Sequence, residues 1–229
     1  MRAEGGIVRA VLLDLDGTLL DTARDLIACA NQLRRERGLP EKPAGSYGHS
    51  PSLGSAGLLQ RAFHLPPDHP DMAPLHQRFL ALYRAQISDR TRLYPGMPEV
   101  LDGLEQRGIV WAVATNKPQA LSEPVLAAFD LLERGRLLCG DQVTRAKPHP
   151  EMLLQLCRQL DVPPREAVMV GDAQRDIAAG HAAGTHTLAC LFGYLCAEDQ
   201  PARWGADALL REPLDLLRWL DNMQQREAA

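Results

Sequence analysis

The sequence predicts an α/β protein, a parallel sheet covered by helices on both faces with a small helical insert after the first strand. Three observations carry this. The apolar run from Ile7 to Leu15 ends abruptly at Asp14-Leu15-Asp16-Gly17, as expected of a buried parallel strand that stops at a polar crevice. From Pro98 onward, helical and strand-like segments alternate strictly, which implies repeated crossover units. Between them lie helical patterns set in Pro-, Gly-, Ser- and His-rich sequence, which interrupt that rhythm.

In chain order, Asp21 is placed to cap a helix on which Leu26, Ala30 and Leu33 recur at helical spacing, ended by Gly38 and Pro40. The amphipathic patch Leu58, Leu59, Ala62 and Phe63 follows, then a helix carrying Leu75, Phe79, Leu82 and Tyr83. The insert closes near Tyr94-Pro95-Gly96-Met97-Pro98, where Pro98 opens the next helix. Beyond it the pattern reads helix to Arg107, strand Ile109 to Thr115, helix 118–128, a short strand at Leu137 and Leu138, and helix 150–160. Strand Ala167 to Gly171, a helix to Ala183, strand Thr185 to Phe192 and a helix after Pro213 complete it. The organisation expected is a core of residues 1–20 and 91–229 with a cap of residues 21–90.

At 229 residues the chain is long enough for a substantial core, and 45% apolar with 24% charged residues is ordinary for a globular protein. The net charge of -4 supplies no basic footprint for nucleic acid. Arg34, Arg35 and Arg37 read as a solvated helix face that complements the helix dipole. Five scattered cysteines without a C-x-x-C pair read as reduced thiols. No run approaches the roughly 20 apolar residues of a membrane span, and the start lacks a secretory pattern, so a cytoplasmic protein without membrane or nucleic-acid partners is expected.

In a parallel sheet, ligands sit beyond the carboxyl ends of the strands. Polar residues stand at four such ends: Asp14 and Asp16, Thr115 and Asn116, Lys147, and Asp172 with Asp176. Any one acid there is an ordinary turn or cap residue, but four ends together suggest a site. A phosphate monoester needs cationic neutralisation, donors for its oxygens, a positioned nucleophile and a proton for its leaving oxygen. A carboxylate can be that nucleophile, and Asp14 is the candidate. If the backbone stays extended, Asp16 faces the same way and can act as acid and then base. Two carboxylates repel an anionic substrate, so a hard cation is required, and an all-oxygen set with Asp172 favours Mg2+. Gly171 would let the backbone approach that metal, and Asp176 would orient its ligands. Thr115 and Asn116 precede a helix, where N–H groups hold phosphate oxygens, and Lys147 is one of three lysines in the chain.

The seven histidines, His49, His64, His69, His76, His149, His181 and His186, form no zinc-binding pair on one helix. Gly54, Ser55 and Gly57 resemble a flexible binding loop but follow no strand, which excludes a dinucleotide fingerprint. Gly54 and Ser55 are retained as substrate-binding candidates.

In order, Asp14-Leu15-Asp16-Gly17-Thr18, Thr115-Asn116-Lys117, Lys147-Pro148 and Gly171-Asp172-Ala173-Gln174-Arg175-Asp176 resemble the four motifs of the haloacid dehalogenase superfamily, over almost the whole chain. The resemblance implies a Rossmann-like core with a helical cap that sets specificity. It also implies Asp14 as nucleophile, Asp16 as acid and base, and Thr115 and Lys147 as phosphoryl holders. Asp14, Asp172 and the Asp16 carbonyl would be the magnesium ligands, with Asp176 a supporting acid. Within the superfamily the chain is similar to the phosphoglycolate phosphatase group, and the tail from Gly193-Tyr194 through Glu198-Asp199 to Trp204-Gly205-Ala206-Asp207 resembles the N-acetylmuramic acid 6-phosphate phosphatases. Both substrates are small phosphate esters that also carry a carboxylate. Two departures stand out: Ala173 where the family often has a hydroxyl or acidic residue, and the divergent loop from Tyr47 to Gly57. A monomer or homodimer is expected. The competing readings are a sugar phosphate mutase of the same fold and a catalytically silent binding protein, whereas a dehalogenase would have little use for the second acid, Asp16.

Overall fold

The computed structural model describes residues 7–48, 50–196 and 198–227. Its main sheet has six parallel strands in the order β5 (Arg136–Cys139), β4 (Val110–Thr115), β1 (Ala10–Leu13), β6 (Ala167–Gly171), β7 (His186–Cys190) and β8 (Ala208–Leu210). Strand β1 is central, and Leu13 pairs with Val113 of β4 and Val170 of β6. That register brings the carboxyl ends of three strands level at the point where the winding direction reverses, the position where open α/β sheets bind ligands.

The central strands β1, β4 and β6 are apolar on both faces because both are covered. Val11 and Leu13 join Val113 and Val170 against α4 (Met97–Gln106), α5 (Gln119–Ala127) and α8 (Asp215–Glu227). Ala10, Leu12, Ala112 and Ala114 face the other way, against α6 (Glu151–Gln159) and α7 (Gln174–Ala183). Alternation within the strands therefore builds three layers, and the small alanines on the second face admit Met152, Leu153 and Leu156 of α6.

The insert has a core of its own. Leu26, Ala30 and Leu33 of α1 (Ala23–Glu36), Leu58, Leu59 and Ala62 of α2 (Gly54–Phe63), and Leu75, Phe79 and Tyr83 of α3 (Met72–Ala85) pack together, joined from the sheet side by Leu121 of α5. The chain leaves through β2 (Leu20–Asp21) and returns through β3 (Arg92–Leu93), which pair antiparallel. The buried Asp25 carboxylate fastens this junction by accepting the Arg90 N–H at 2.9 Å, the Thr91 N–H at 2.9 Å and the Thr91 hydroxyl at 2.6 Å.

Several expectations need correction. Asp21 lies in β2, not at a helix cap; α1 begins after Thr22, without a side-chain cap bond. Arg34 is buried rather than solvated, donating to the carbonyls of Pro40 and Ala62 and so supplying partners that water cannot reach. Gly54, Ser55 and Gly57 form the first turn of α2, because the apolar spacing of Leu58, Leu59 and Ala62 carries the helix back to Gly54. His49, in the divergent loop, is outside the described residues. The first strand is only Ala10–Leu13, and Ile7 is exposed.

Candidate active site

After Leu13 the chain turns instead of continuing extended: the Leu19 N–H donates to the Asp14 carbonyl and the Leu20 N–H to that of Leu15. Asp14 is buried at the tip of β1, its N–H donating to the Val170 carbonyl at 2.9 Å. The same-face expectation for Asp16 therefore loses its basis. Its Oδ1 instead accepts the Thr22 hydroxyl at 2.5 Å and Lys117 Nζ at 2.9 Å. Both carboxylates still line one cavity.

Beside Asp14 stand Asp172, just past β6, and Asp176, in the first turn of α7. Oxygens of all three lie within 4.8 Å of one another. Glycine backbones close the sides of this cluster. Gly17 sits at φ +90°, a conformation other residues rarely adopt, and a Cβ there would run into the Asp172 carboxylate. Gly171 makes room for Asp176 rather than for a metal approach, since a Cβ on it would meet the Asp176 side chain. Asp172 Oδ2 accepts the Tyr194 N–H at 2.7 Å, while its buried Oδ1 has no hydrogen-bond partner among the described residues. Asp176 Oδ2 accepts the Ala173 N–H at 3.0 Å, so the main chain at Ala173 supports the cluster without a polar side chain.

Lys147 enters from the loop after β5 with its side chain fully buried. Its Nζ donates to Asp14 Oδ1 at 2.8 Å and to the Ala114 carbonyl at 2.6 Å, and pairs with Asp176 Oδ1 at 2.8 Å. The first two are hydrogen bonds, whereas the third is an ion pair in which Asp176 Oδ1 accepts no hydrogen bond. Asn116 clamps the lysine backbone on both sides, donating to the Lys147 carbonyl at 2.8 Å and accepting its N–H at 3.0 Å. The Asn116 amide thus holds the lysine loop, although the residue also borders the cavity. Thr115, buried at the tip of β4, accepts the Lys117 N–H at 3.2 Å.

Burial pushes the Asp14 carboxyl up; Lys147 opposes that and Asp176 adds to it. Asp172 rises well above the ordinary carboxylate value through burial and then the charges of Asp14 and Asp176. Burial disfavours the Lys147 ammonium, but Asp14 and Asp176 outweigh it and raise its pKa. Three acids are held against one buried ammonium, with the Arg175 charge nearby, and two buried carboxylate oxygens, Asp172 Oδ1 and Asp176 Oδ1, accept no hydrogen bond among the described residues. An all-oxygen set of this kind fits Mg2+.

The cavity of about 490 Å³ runs from Asp14, Asp16 and Thr115 to the insert. There Leu26, Phe79 and Leu80 provide apolar wall, and Gly54 and Ser55 lie at its edge. The Ser55 hydroxyl is 2.8 Å from His76 Nε2. Three of its residues received no role from the sequence. Lys117 joins Asp16 to the Tyr83 hydroxyl, which accepts at 2.8 Å. Arg175 borders the cavity beside the acids. Lysine scarcity could have flagged Lys117 as it flagged Lys147, whereas Tyr83 reads in sequence as one more apolar helix position.

The fold and this cluster define a Rossmann-like α/β core of the haloacid dehalogenase type. The haloacid dehalogenase-like hydrolase family matches residues 8–184, and the chain belongs to that family. The N-acetylmuramic acid 6-phosphate phosphatase of Pseudomonas aeruginosa is 43% identical over 215 residues, covering 93% of this chain and 95% of the relative. The phosphoglycolate phosphatase of Xanthomonas campestris is 40% identical over 210 residues, covering 91% and 94%. Among solved structures, a predicted phosphoglycolate phosphatase from Haemophilus somnus superposes with a TM-score of 0.82 at 28% identity, covering 93% of this chain and 98% of that one. No helix among the described residues is long and apolar enough to cross a membrane.

Proposed function

We propose that the chain is a magnesium-dependent phosphatase of small phosphorylated metabolites that works through an aspartyl-phosphate on Asp14. The observation that carries this reading is the grouping of Asp14, Asp172 and Asp176, with oxygens within 4.8 Å of one another, and Lys147 fixed against Asp14. Asp14, Asp172 and the Asp16 carbonyl would hold the ion, supported by Asp176; when bound, it neutralises phosphoryl oxygens and nucleophile alike. Asp14 attacks phosphorus, and Asp16 protonates the departing alkoxide and then deprotonates the water that opens the acyl phosphate. The Thr115 hydroxyl and the main-chain N–H of Asn116, at the end of β4, receive phosphoryl oxygens, and Lys147 keeps Asp14 aligned while countering its charge. Residues 21–90 act as a specificity cap over a core of residues 1–20 and 91–229, with Gly54 and Ser55 facing the substrate.

N-acetylmuramic acid 6-phosphate is the preferred substrate on this reading. The 43% identical relative carries that activity in its name, and a cavity of about 490 Å³ with apolar wall suits a substituted sugar better than a two-carbon acid. The reading is tested by phosphate release from both esters, with and without magnesium, beside Asp14→Asn. Magnesium-dependent release that vanishes in the variant, and inhibition by beryllium trifluoride or vanadate, are expected. Release of an isomeric sugar phosphate would instead identify a mutase, and no turnover a silent binding protein.

A further inference from the structure

The cations around the cavity are unequally committed. Lys147 donates to Asp14 and to the Ala114 carbonyl and is ion-paired with Asp176. Lys117 is taken up by Asp16 and Tyr83, and its ammonium also lies 4.8 Å from the Tyr83 ring centre. Arg175 is different. It borders the same cavity as Asp14 and Asp16, yet makes no hydrogen bond or close ion pair among the described residues, and its buried Nε has no partner. Its planar guanidinium carries five N–H donors, and none of them makes a hydrogen bond to the described residues. The walls from the insert, including Pro51, Leu53, Phe79 and Leu80, contain no cation to compete with it.

The guanidinium feels the charges of Asp176, Asp14, Asp172 and Asp16 but is tied to none of them by a hydrogen bond or close ion pair among the described residues, so its donors are left for an anion that arrives with the substrate. The transferring phosphoryl group already has a metal site, Lys147 and the β4 tip to meet it. We propose that Arg175 is a specificity-determining residue that takes a second anionic group of the substrate, a carboxylate, through its paired N–H donors. The fork matches a carboxylate in a way that a lysine ammonium does not. This rests on the phosphatase reading and deepens it: the enzyme would select phosphate esters that carry an acid.

The test uses a matched pair, N-acetylmuramic acid 6-phosphate and N-acetylglucosamine 6-phosphate, which differ by the lactyl carboxylate. The measurement is the ratio of their kcat/KM values. Wild-type protein is expected to favour the acid, and Arg175→Gln to shrink that ratio by about 10- to 100-fold, the scale of a charge-assisted hydrogen-bond pair. Arg175→Lys, which keeps the charge without the fork, should fall between them and guards against a Gln variant that fails to fold. A wild-type ratio near one, or losses equal on both esters in either variant, would overturn the assignment; equal losses would place Arg175 on the transferring phosphoryl group. Release from p-nitrophenyl phosphate that Asp14→Asn abolishes tests the underlying reading separately. Its absence in wild type removes phosphatase and selectivity together, whereas its presence with an unmoved ratio removes only the role of Arg175.

Discussion

Replacing Asp16 by Asn separates proton transfer from everything else the residue does. Asp16 Oδ1 accepts from Thr22 at 2.5 Å and from Lys117 at 2.9 Å, and an asparagine carbonyl oxygen can receive both donors in the same place. Lys117 also keeps its bond to Tyr83, so the junction and the insert should stay seated. What disappears is a group able to give a proton to a leaving alkoxide. General acid–base help is worth about 100- to 10,000-fold, or about 2.7–5.5 kcal/mol at 1.36 kcal/mol per decade. A sugar or alkyl phosphate expels a basic alkoxide that needs this proton, whereas p-nitrophenolate leaves without it. The assay is a leaving-group series at saturating magnesium. In Asp16→Asn, kcat/KM should fall by the full amount for alkyl esters and much less for p-nitrophenyl phosphate. An equal drop across the series would refute the proton-donor role and leave Asp16 as a purely structural partner of Lys117.

Three further outcomes are expected. Lys147→Met leaves Asp14 and Asp176 facing each other without their shared ammonium; in metal-free protein it should cost about 3–5 kcal/mol in denaturant unfolding and abolish turnover. The raised pKa values of Asp14 and Asp172 mean that the folded metal-free protein binds more protons than the unfolded chain. Its stability should therefore fall as pH climbs above the ordinary carboxylate value of 3.8 through the raised folded values, and added magnesium should restore more melting temperature at pH 8 than at about pH 5. A metal-free melting temperature that rises across this range would contradict the burial of these acids. Tyr83→Phe keeps the stacked contact with Phe79 but removes the hydroxyl that receives Lys117. It should lose about 1–2 kcal/mol and lower kcat more than it changes KM, as read by thermal melts beside steady-state kinetics.

The sheet was readable because buried parallel strands announce themselves: Ala167–Gly171 stands where its apolar run lies, and the helices of the sheet region fall within a residue or two of their periodic patterns. Short pairings were not readable. Strands β2 and β3 are two residues each and β8 three, too brief for any alternation to show. The acids of the site were found because they follow strands. Lys117, Tyr83 and Arg175 were passed over since their meaning lies in contacts across 34 or more positions or in the lack of any contact, and neither leaves a local pattern. Arg34 misled for a related reason: a cationic residue near a helix end looks solvated until the neighbouring helix closes over it. Asp176, expected as a supporting acid, lies in the same cluster, its oxygen within 4.8 Å of those of Asp14 and Asp172.

The narrow ribbon of Leu20–Asp21 against Arg92–Leu93 sets how the two parts of the molecule are joined. Exit and re-entry lie side by side, hydrogen-bonded to each other, so the main sheet registers only a paired doorway and not the length of chain beyond it. On the proposed reading, the residues of catalysis and those of substrate choice therefore lie on separate stretches of one polypeptide.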